Sequence, residues 1–484
     1  MSLPARRTLK NTLLLIGFEV ANPLLSLLLI GVMSRRLGPE GLGAYNLLLT
    51  FFFVAHSFTS LGLNSLITRE VSRKTEATGG YLCTSAALGL MMSMISAAGL
   101  IVTVHLAHYS EEIEKGSLFI GLSLLPSIVI LYSESIFIAY EKVQYIVYLA
   151  LLENAARVVT GLWLLRNGFG VVALIGSFAL FRYVALAFNL SIFHRQIGHL
   201  AFRFDEEVAR YLLRNVPVFG TIFIAASLYS RADVFLLSKL TTLAAVGYYT
   251  AAYRLFAISQ VVPKSLNTSI YPIFAKRFVE SPRSFQKANS VAIRYLMVVI
   301  VPVAAGVCAL AEPVVRALFG AEFGPAVSVL RIVIWTLVPY GIVRVCASGL
   351  FASDRQLIDL KVNLMALASN LILNIVLIPR YGGVGCAWAT LLSMLLFLAF
   401  QVLFLGSEIV SVLREAEVHR ALVAAAAMWG WLWLSSSLGI GVRVVGGGVV
   451  YVAFLFLLRV VRLGELRAML PARLVGLRPG RSES

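Results

Sequence analysis

Eight of the 41 lysines and arginines lie four or more residues from the ends of apolar runs long enough to cross a membrane: Arg157, Arg182, Arg231, Arg254, Lys264, Arg294, Arg331 and Arg344. Only Glu19, Glu134, Glu153 and Asp233 are acids that far inside the runs, so the run interiors carry a surplus of four positive charges. A charge at the centre of a membrane helix costs about 2.5–3.5 kcal/mol on insertion scales, so these groups face a bundle interior or a wet cavity. At about 100° per residue, Thr250, Arg254, Lys264, Ser265 and Thr268 fall within a sector of roughly 100° on the run 245–272. A polar stripe along a span cannot face lipid. The chemistry it suits is the holding of an anion by fixed cations, with Arg157, Arg182 and Arg344 as helpers. The purely structural alternative is hydrogen bonding between helices.

Three further groups carry polar atoms into the apolar runs. Asn46, Thr50, Ser57, Ser60 and Asn64 share one sector of the run 44–66, and Asn363, Asn370 and Asn374 mark the run 358–378. Glu19, Asn22 and Ser26 lie on one face beside Pro23. Glu19 and Glu134 are candidate sites for a coupling proton or Na⁺, with hydrogen-bonded structural acids as the alternative. Other charges have ordinary readings. Arg294 and Arg331 stand near run ends and can snorkel. Glu153 and Arg157 stand four apart in the favourable order for a helical ion pair. Arg231 and Asp233, two apart, point to different faces and brace neighbouring helices.

The elements that must position these groups follow from length. A span needs about 20 mainly apolar residues. Fourteen runs qualify: 11–33, 44–66, 81–104, 117–140, 145–165, 170–193, 212–237, 245–272, 289–310, 327–351, 358–378, 383–405, 418–438 and 442–458. The fold class is therefore an all-α polytopic membrane protein. The composition agrees: 59% of the 484 residues are hydrophobic, 13% are charged and the mean hydropathy is +0.86, against roughly a quarter charged in soluble proteins. The net charge of +17 sits mainly in the gaps between runs, which excludes nucleic acid as the reason for it. Of the gap lysines and arginines, 25 lie on the side of the N-terminus and 8 on the other. That excess places both termini in the cytoplasm of a cell (plasma or inner) membrane. The four cysteines, Cys83, Cys308, Cys346 and Cys386, lie in apolar stretches without metal-ligand spacing. No cofactor or metal is called for.

The chain is also written twice. At an offset of 204, Gly43 falls on Gly247, Tyr45 on Tyr249, Thr50 on Arg254 and Ser60 on Lys264. A weaker echo at 213 sets Arg157 against Asn370. Together they pair the first six runs with the next six. The expected organisation is a six-helix lobe at 1–198, a cytoplasmic amphipathic linker at 199–211, a second six-helix lobe at 212–406, two extra spans at 407–458 and a basic tail at 459–484. In the linker, Asp205 can cap a short helix with Glu206 and Glu207 in its first turn. Phe204, Val208, Tyr211 and Leu212 line one face of it. The tail mixes Arg with Leu and Val, as a surface anchor to anionic lipid does.

Four stretches resemble the polysaccharide-biosynthesis branch of the multidrug/oligosaccharidyl-lipid/polysaccharide exporter superfamily: SRRLGPEGLGAY (Ser34–Tyr45), ADVFLLSKL with VGYYTAAYRL (Ala232–Leu255), LFGAEFGPAVSVL (Leu318–Leu330) and NIVLIPRYGGVGCAWATL (Asn374–Leu391). They recur at corresponding places in both halves. The resemblance implies two pseudo-symmetric lobes forming a V around a cavity that opens alternately to either side of the membrane. It implies a flippase for a polyprenyl-pyrophosphate-linked oligosaccharide bound for an O-antigen or exopolysaccharide. A net-positive interior suits the pyrophosphate, which arginine grips bidentately, and disfavours cationic drugs as cargo. On this reading Arg254, Lys264, Arg157, Arg182 and Arg344 hold the pyrophosphate. The stripes of Asn46, Thr50, Ser60, Asn64, Thr250, Thr268, Asn370 and Asn374 meet the sugars. Expected partners are the lipid-linked substrate, membrane lipids, H⁺ or Na⁺, and glycan polymerases or glycosyltransferases. The alternatives are a lipid II flippase, a drug or cation antiporter, a membrane-embedded glycan polymerase or ligase, and a scaffold for glycan enzymes. A polymerase or ligase needs an acid cluster or general base at the outer surface, and the only outer acidic run, Glu111, Glu112 and Glu114, reads as a solvated loop.

Overall fold

The computed structural model describes residues 3–197 and 204–460. They form the helices α1 (Leu3–Ser60), α2 (Leu63–Arg73), α3 (Thr78–Leu106), α4 (Glu111–Ala139), α5 (Val143–Arg166), α6 (Val171–Gln196), α7 (Glu206–Leu240), α8 (Leu243–Ser259), α9 (Val261–Glu280) and α10 (Pro282–Ala309). The series continues with α11 (Ala311–Phe319), α12 (Gly324–Val333), α13 (Leu337–Ala352), α14 (Gln356–Leu405), α15 (Ser407–Glu415), α16 (Val418–Leu434) and α17 (Ile440–Leu457). Two of these each hold two spans. α1 bends at Gly38 (φ 66°, ψ −170°) and α14 at Gly382 (φ 57°, ψ −132°), conformations that favour glycine. With the bends counted, the chain is the expected all-α, multi-pass membrane protein of about fourteen spans. The basic tail from residue 461 and linker positions 198–203 lie outside the described residues.

Several boundaries move. The run 245–272 is not one helix: α8 ends at Ser259 and α9 begins at Val261. Pro263 explains the break, because it has no N–H for the Ser259 carbonyl and its ring crowds that position. The run 44–66 stops at Ser60, where Leu61 and Gly62 take positive φ, and continues as the amphipathic α2. Leu63, Leu66, Ile67 and Val71 of α2 are buried against α4 residues Ile128, Tyr132, Ile136 and Phe137. In the linker, Asp205 does cap a helix: Oδ1 accepts from the Glu207 and Val208 amides at 2.9 and 3.1 Å. The helix is not short, however, since no breaker separates it from span seven and α7 runs on for 35 residues.

The helices group into two compact units. The first comprises Met1–Arg254, Val315–Val329 and Asn374–Ala387; the second comprises Leu255–Val314, Leu330–Leu373 and Trp388–Ser484. In the first unit the repeat becomes a reciprocal contact. A Cβ on Gly43 would overlap the Leu243 carbonyl, and one on the repeat-equivalent Gly247 would overlap the Pro39 carbonyl. Pro39 and Leu243 are themselves 204 apart. The same reciprocity governs two cations at the same offset. Arg35 donates to the Ala317 carbonyl near the end of α11, and Lys239 donates to the Ala107 carbonyl at the end of α3 (2.7 Å). Each cation thus answers the negative end of a helix. Gly43→Ala and Gly247→Ala each force backbones apart and should cost about 1–3 kcal/mol, the usual cost of overpacking. Thermal unfolding in detergent checks this, with Gly430→Ala, where a Cβ meets nothing within 4 Å, as the neutral control.

Candidate functional site

In the first unit, α5 and α6 each carry a pair of residues four apart, and the two pairs interlock. Glu153 and Arg157 lie on one face of α5; Phe178 and Arg182 lie on one face of α6. The expected Glu153–Arg157 bridge does not form. Instead the Glu153 carboxylate takes Arg182, with Nε–Oε1 at 2.8 Å and Nη2 on Oε2. Arg157 stacks on Phe178, its guanidinium carbon 4.5 Å from the ring centroid, and reaches the Tyr45 hydroxyl at 3.5 Å. The exchange follows from donor geometry. A two-donor arginine fork across helices meets a carboxylate better than a single contact along one helix does. Arg182, expected as an anion-binding cation, therefore already has its charge met.

Arg157 is one of two arginines whose charge acts on a third, Arg254. The electrostatic neighbours of Arg254 are Tyr45, Arg231 and Arg157. Arg231 lies over Phe53, 4.3 Å from the centroid. Asp233, two residues on, accepts from Tyr249 at 2.5 Å and makes no salt bridge to Arg231, though it stays an electrostatic neighbour of it. Among the described residues, none of Arg157, Arg231 and Arg254 has a salt-bridge partner. Aromatic faces hold two of them in place without neutralising their charge. Such a cluster can receive an anion.

Near it stands a second group. Glu134 on α4 has Arg182 and Glu153 as electrostatic neighbours. His56 also has Arg182 as an electrostatic neighbour. Glu153 alone contacts the Arg182 guanidinium, and Glu134 shows no hydrogen bond or ion pair among the described residues. The third polar face expected, on span one, meets α5: Asn154 Nδ2 donates to the Asn22 side chain at 2.6 Å and to its carbonyl at 3.1 Å.

The other expected site residues are distributed as follows. Asn46, Thr50, Ser60 and Thr250 are buried and donate to carbonyls of their own helices at 2.8–3.0 Å. That is the usual way for such side chains to be satisfied inside a helix. Asn64 is half-buried. Asn370 is buried and donates to Ser393 at 3.0 Å in the second unit, while Asn374 is buried in the first. Lys264 on α9 and Arg344 on α13 are exposed and belong to the second unit. The break before Pro263 therefore puts Arg254 and Lys264 on separate helices. The side chains of Glu19, Ser265 and Thr268 lie outside the described residues. Arg294, expected to snorkel, is buried instead, donating to the Glu415 carbonyl at 2.5 Å and lying 4.0 Å from Glu417. Turns near Glu417 supply carboxylate and carbonyl partners, which make reaching for water unnecessary. Arg331 is exposed. Sequence reasoning missed the place of Arg231 in the cluster, and it missed His56. The spacing of Phe178 and Arg182 was the one available signal for the α5–α6 interlock.

Comparison with known proteins supplies the context. The family model described as polysaccharide biosynthesis protein matches residues 8–278, more than half the chain. A probable low-salt glycan biosynthesis flippase, Agl15 of Haloferax volcanii, is 23% identical over 410 residues, covering 83% of this chain and 84% of that protein. Among solved structures, the lipid II flippase MurJ in an inward closed conformation superposes with a TM-score of 0.76 at 15% identity, covering 91% of this chain and 97% of MurJ. An inward-facing multidrug-resistance MATE transporter superposes with a TM-score of 0.63 at 16% identity, covering 84% of this chain and 99% of that one. Both structural likenesses speak to the fold.

Proposed function

Since the chain belongs to the polysaccharide biosynthesis protein family, we propose that it is a flippase that carries a polyprenyl-pyrophosphate-linked oligosaccharide from the inner to the outer leaflet. The observation that carries this reading is the cluster of Arg157, Arg231 and Arg254, three cations inside an apolar bundle that form no salt bridge among the described residues and have one acidic electrostatic neighbour, Asp233 beside Arg231. A pyrophosphate offers several oxygens to guanidinium forks. A cationic drug would meet repulsion at the same place. The glycan-flippase name of a relative covering most of the chain supports the same cargo class.

The mechanism we propose is alternating access by two six-helix repeats, 1–198 and 212–406, with both termini in the cytoplasm. Lys264 and Arg344 are further cations offered to the pyrophosphate during transport, and the asparagine and hydroxyl stripes are offered to the sugars. Arg182 holds Glu153 and keeps the bundle together. Glu134 is the candidate for proton or Na⁺ coupling, because it is the carboxylate left over beside that pair. Collapsing the ion gradients should then slow transport, and transport insensitive to the collapse removes Glu134 from this role.

Reconstitution in vesicles with a fluorescent lipid-linked sugar tests the whole. Leaflet exchange without a new bond is expected. A lengthened glycan would make the protein a polymerase or ligase, and neither outcome would leave it a scaffold.

A further inference from the structure

The geometry points to a separate site in the second unit for one zwitterionic phospholipid, distinct from the cargo site. A cavity of about 330 Å³ opens among α9, α10, α13, the end of α14 and the short α15. That volume is within the range of roughly 300–1,000 Å³ typical of small-molecule sites, which are mostly apolar with a few placed polar groups. Here the walls are Phe285, Leu350, Leu405, Ile409 and Val412. Cys346, 8% exposed, also lines the cavity. The helix α15 is amphipathic: Ile409 and Val412 turn inward, while Glu408 and Arg414 are exposed. Such a helix lies at the level of lipid headgroups, on the face that bears the excess of lysine and arginine.

The lining also contains one ion pair. Arg355 and Glu408 meet at 2.8 Å, with side-chain exposures of 45% and 65%. An exposed pair of this kind is held weakly, so its two members can each turn to a ligand. Arg355 would take a phosphate and Glu408 an ammonium, while the acyl chain occupies the apolar interior. Because the pair has no net charge, it gives an anionic headgroup no advantage. The occupant that satisfies both signs and the apolar walls is a phospholipid of the phosphatidylethanolamine type.

Native mass spectrometry of the full-length protein, taken from bilayers with equal phosphatidylethanolamine and phosphatidylglycerol, reads the site. One phosphatidylethanolamine should stay bound per chain. Cys346→Phe, which fills the cavity, should reduce retention about tenfold or more, a loss of about 1.4 kcal/mol in binding. Leu364→Phe, at a position 56% exposed, should not. The double variant Arg355→Ala/Glu408→Ala should hold the two lipids equally. Alkylation of Cys346 by maleimide, with the other three cysteines replaced by alanine, gives a readout that does not depend on Cys346→Phe folding. Phosphatidylethanolamine should slow it and phosphatidylglycerol should not. The proposal is overturned by wild-type protein that retains no lipid, by equal retention in Cys346→Phe, or by equal binding of phosphatidylglycerol. Displacement by a polyprenyl pyrophosphate would overturn it too, by assigning the cavity to the cargo.

Discussion

Arg254→Ala is expected to abolish surface glycan while the protein stays in the membrane at normal abundance. Arg254 is the member of the cluster whose electrostatic neighbours include both other arginines, and no ion pair holds it among the described residues. Removing it should cost the fold little. An anion bound there loses a charge-assisted contact worth about 1.5–3 kcal/mol, or roughly 10- to 150-fold in affinity. Arg254→Lys keeps the charge but not the fork, so it should fall between the two. Lys264→Ala, exposed on another helix and in the other unit, should impair export less than Arg254→Ala. Arg157→Ala is a less clean test, because it also removes the stack on Phe178. Glycan display measured beside membrane protein abundance decides the matter. Normal glycan in Arg254→Ala would overturn the cluster as the anion site.

Arg182→Met is expected to destabilise the protein by about 3–5 kcal/mol, the usual cost of breaking a buried ion pair from one side. Its side chain is 21% exposed and that of Glu153 only 8%. Loss of the guanidinium leaves the Glu153 carboxylate without its partner and removes the cation among the electrostatic neighbours of Glu134. Glu153→Leu should cost less, because Arg182 retains Glu134 as a neighbour. The double variant Arg182→Met/Glu153→Leu should recover most of the loss, since apolar side chains of similar volume replace buried pairs at little cost. Unfolding midpoints in detergent for the two single variants and the double variant measure the coupling. Equal losses in the singles would show that Glu134 is too remote to share the arginine, and additive loss in the double would show that Arg182 and Glu153 do not act as a pair.

The apolar runs, their spacing and the charge asymmetry of the gaps were legible in the chain, because burial in lipid imposes length and polarity on each segment separately. So was the repeat, since Gly43 and Gly247 stand at equivalent positions in it. That the two glycines press on each other's helices could not be read from an offset; it appears only when the halves are packed. The helical sector drawn through Thr250, Arg254 and Lys264 assumed one uninterrupted helix, and Pro263 was visible in it. The sequence shows that a proline can bend a membrane helix, but only the packed chain shows where it breaks one.

Side-chain pairing was the least legible feature. Glu153 and Arg157 looked like partners because a sequence displays only neighbours along its own helix, where such a pair contributes about 0.3–0.5 kcal/mol. In the fold α6 brings Arg182 to the same carboxylate with two donors, and Arg157 is released to Phe178 and Tyr45. The sequence by itself determined that more cations than acids enter the membrane. The tertiary structure decided which of those cations are already answered and which stay open to an anion, because contacts across helices in an apolar interior outweigh any preference along a single one.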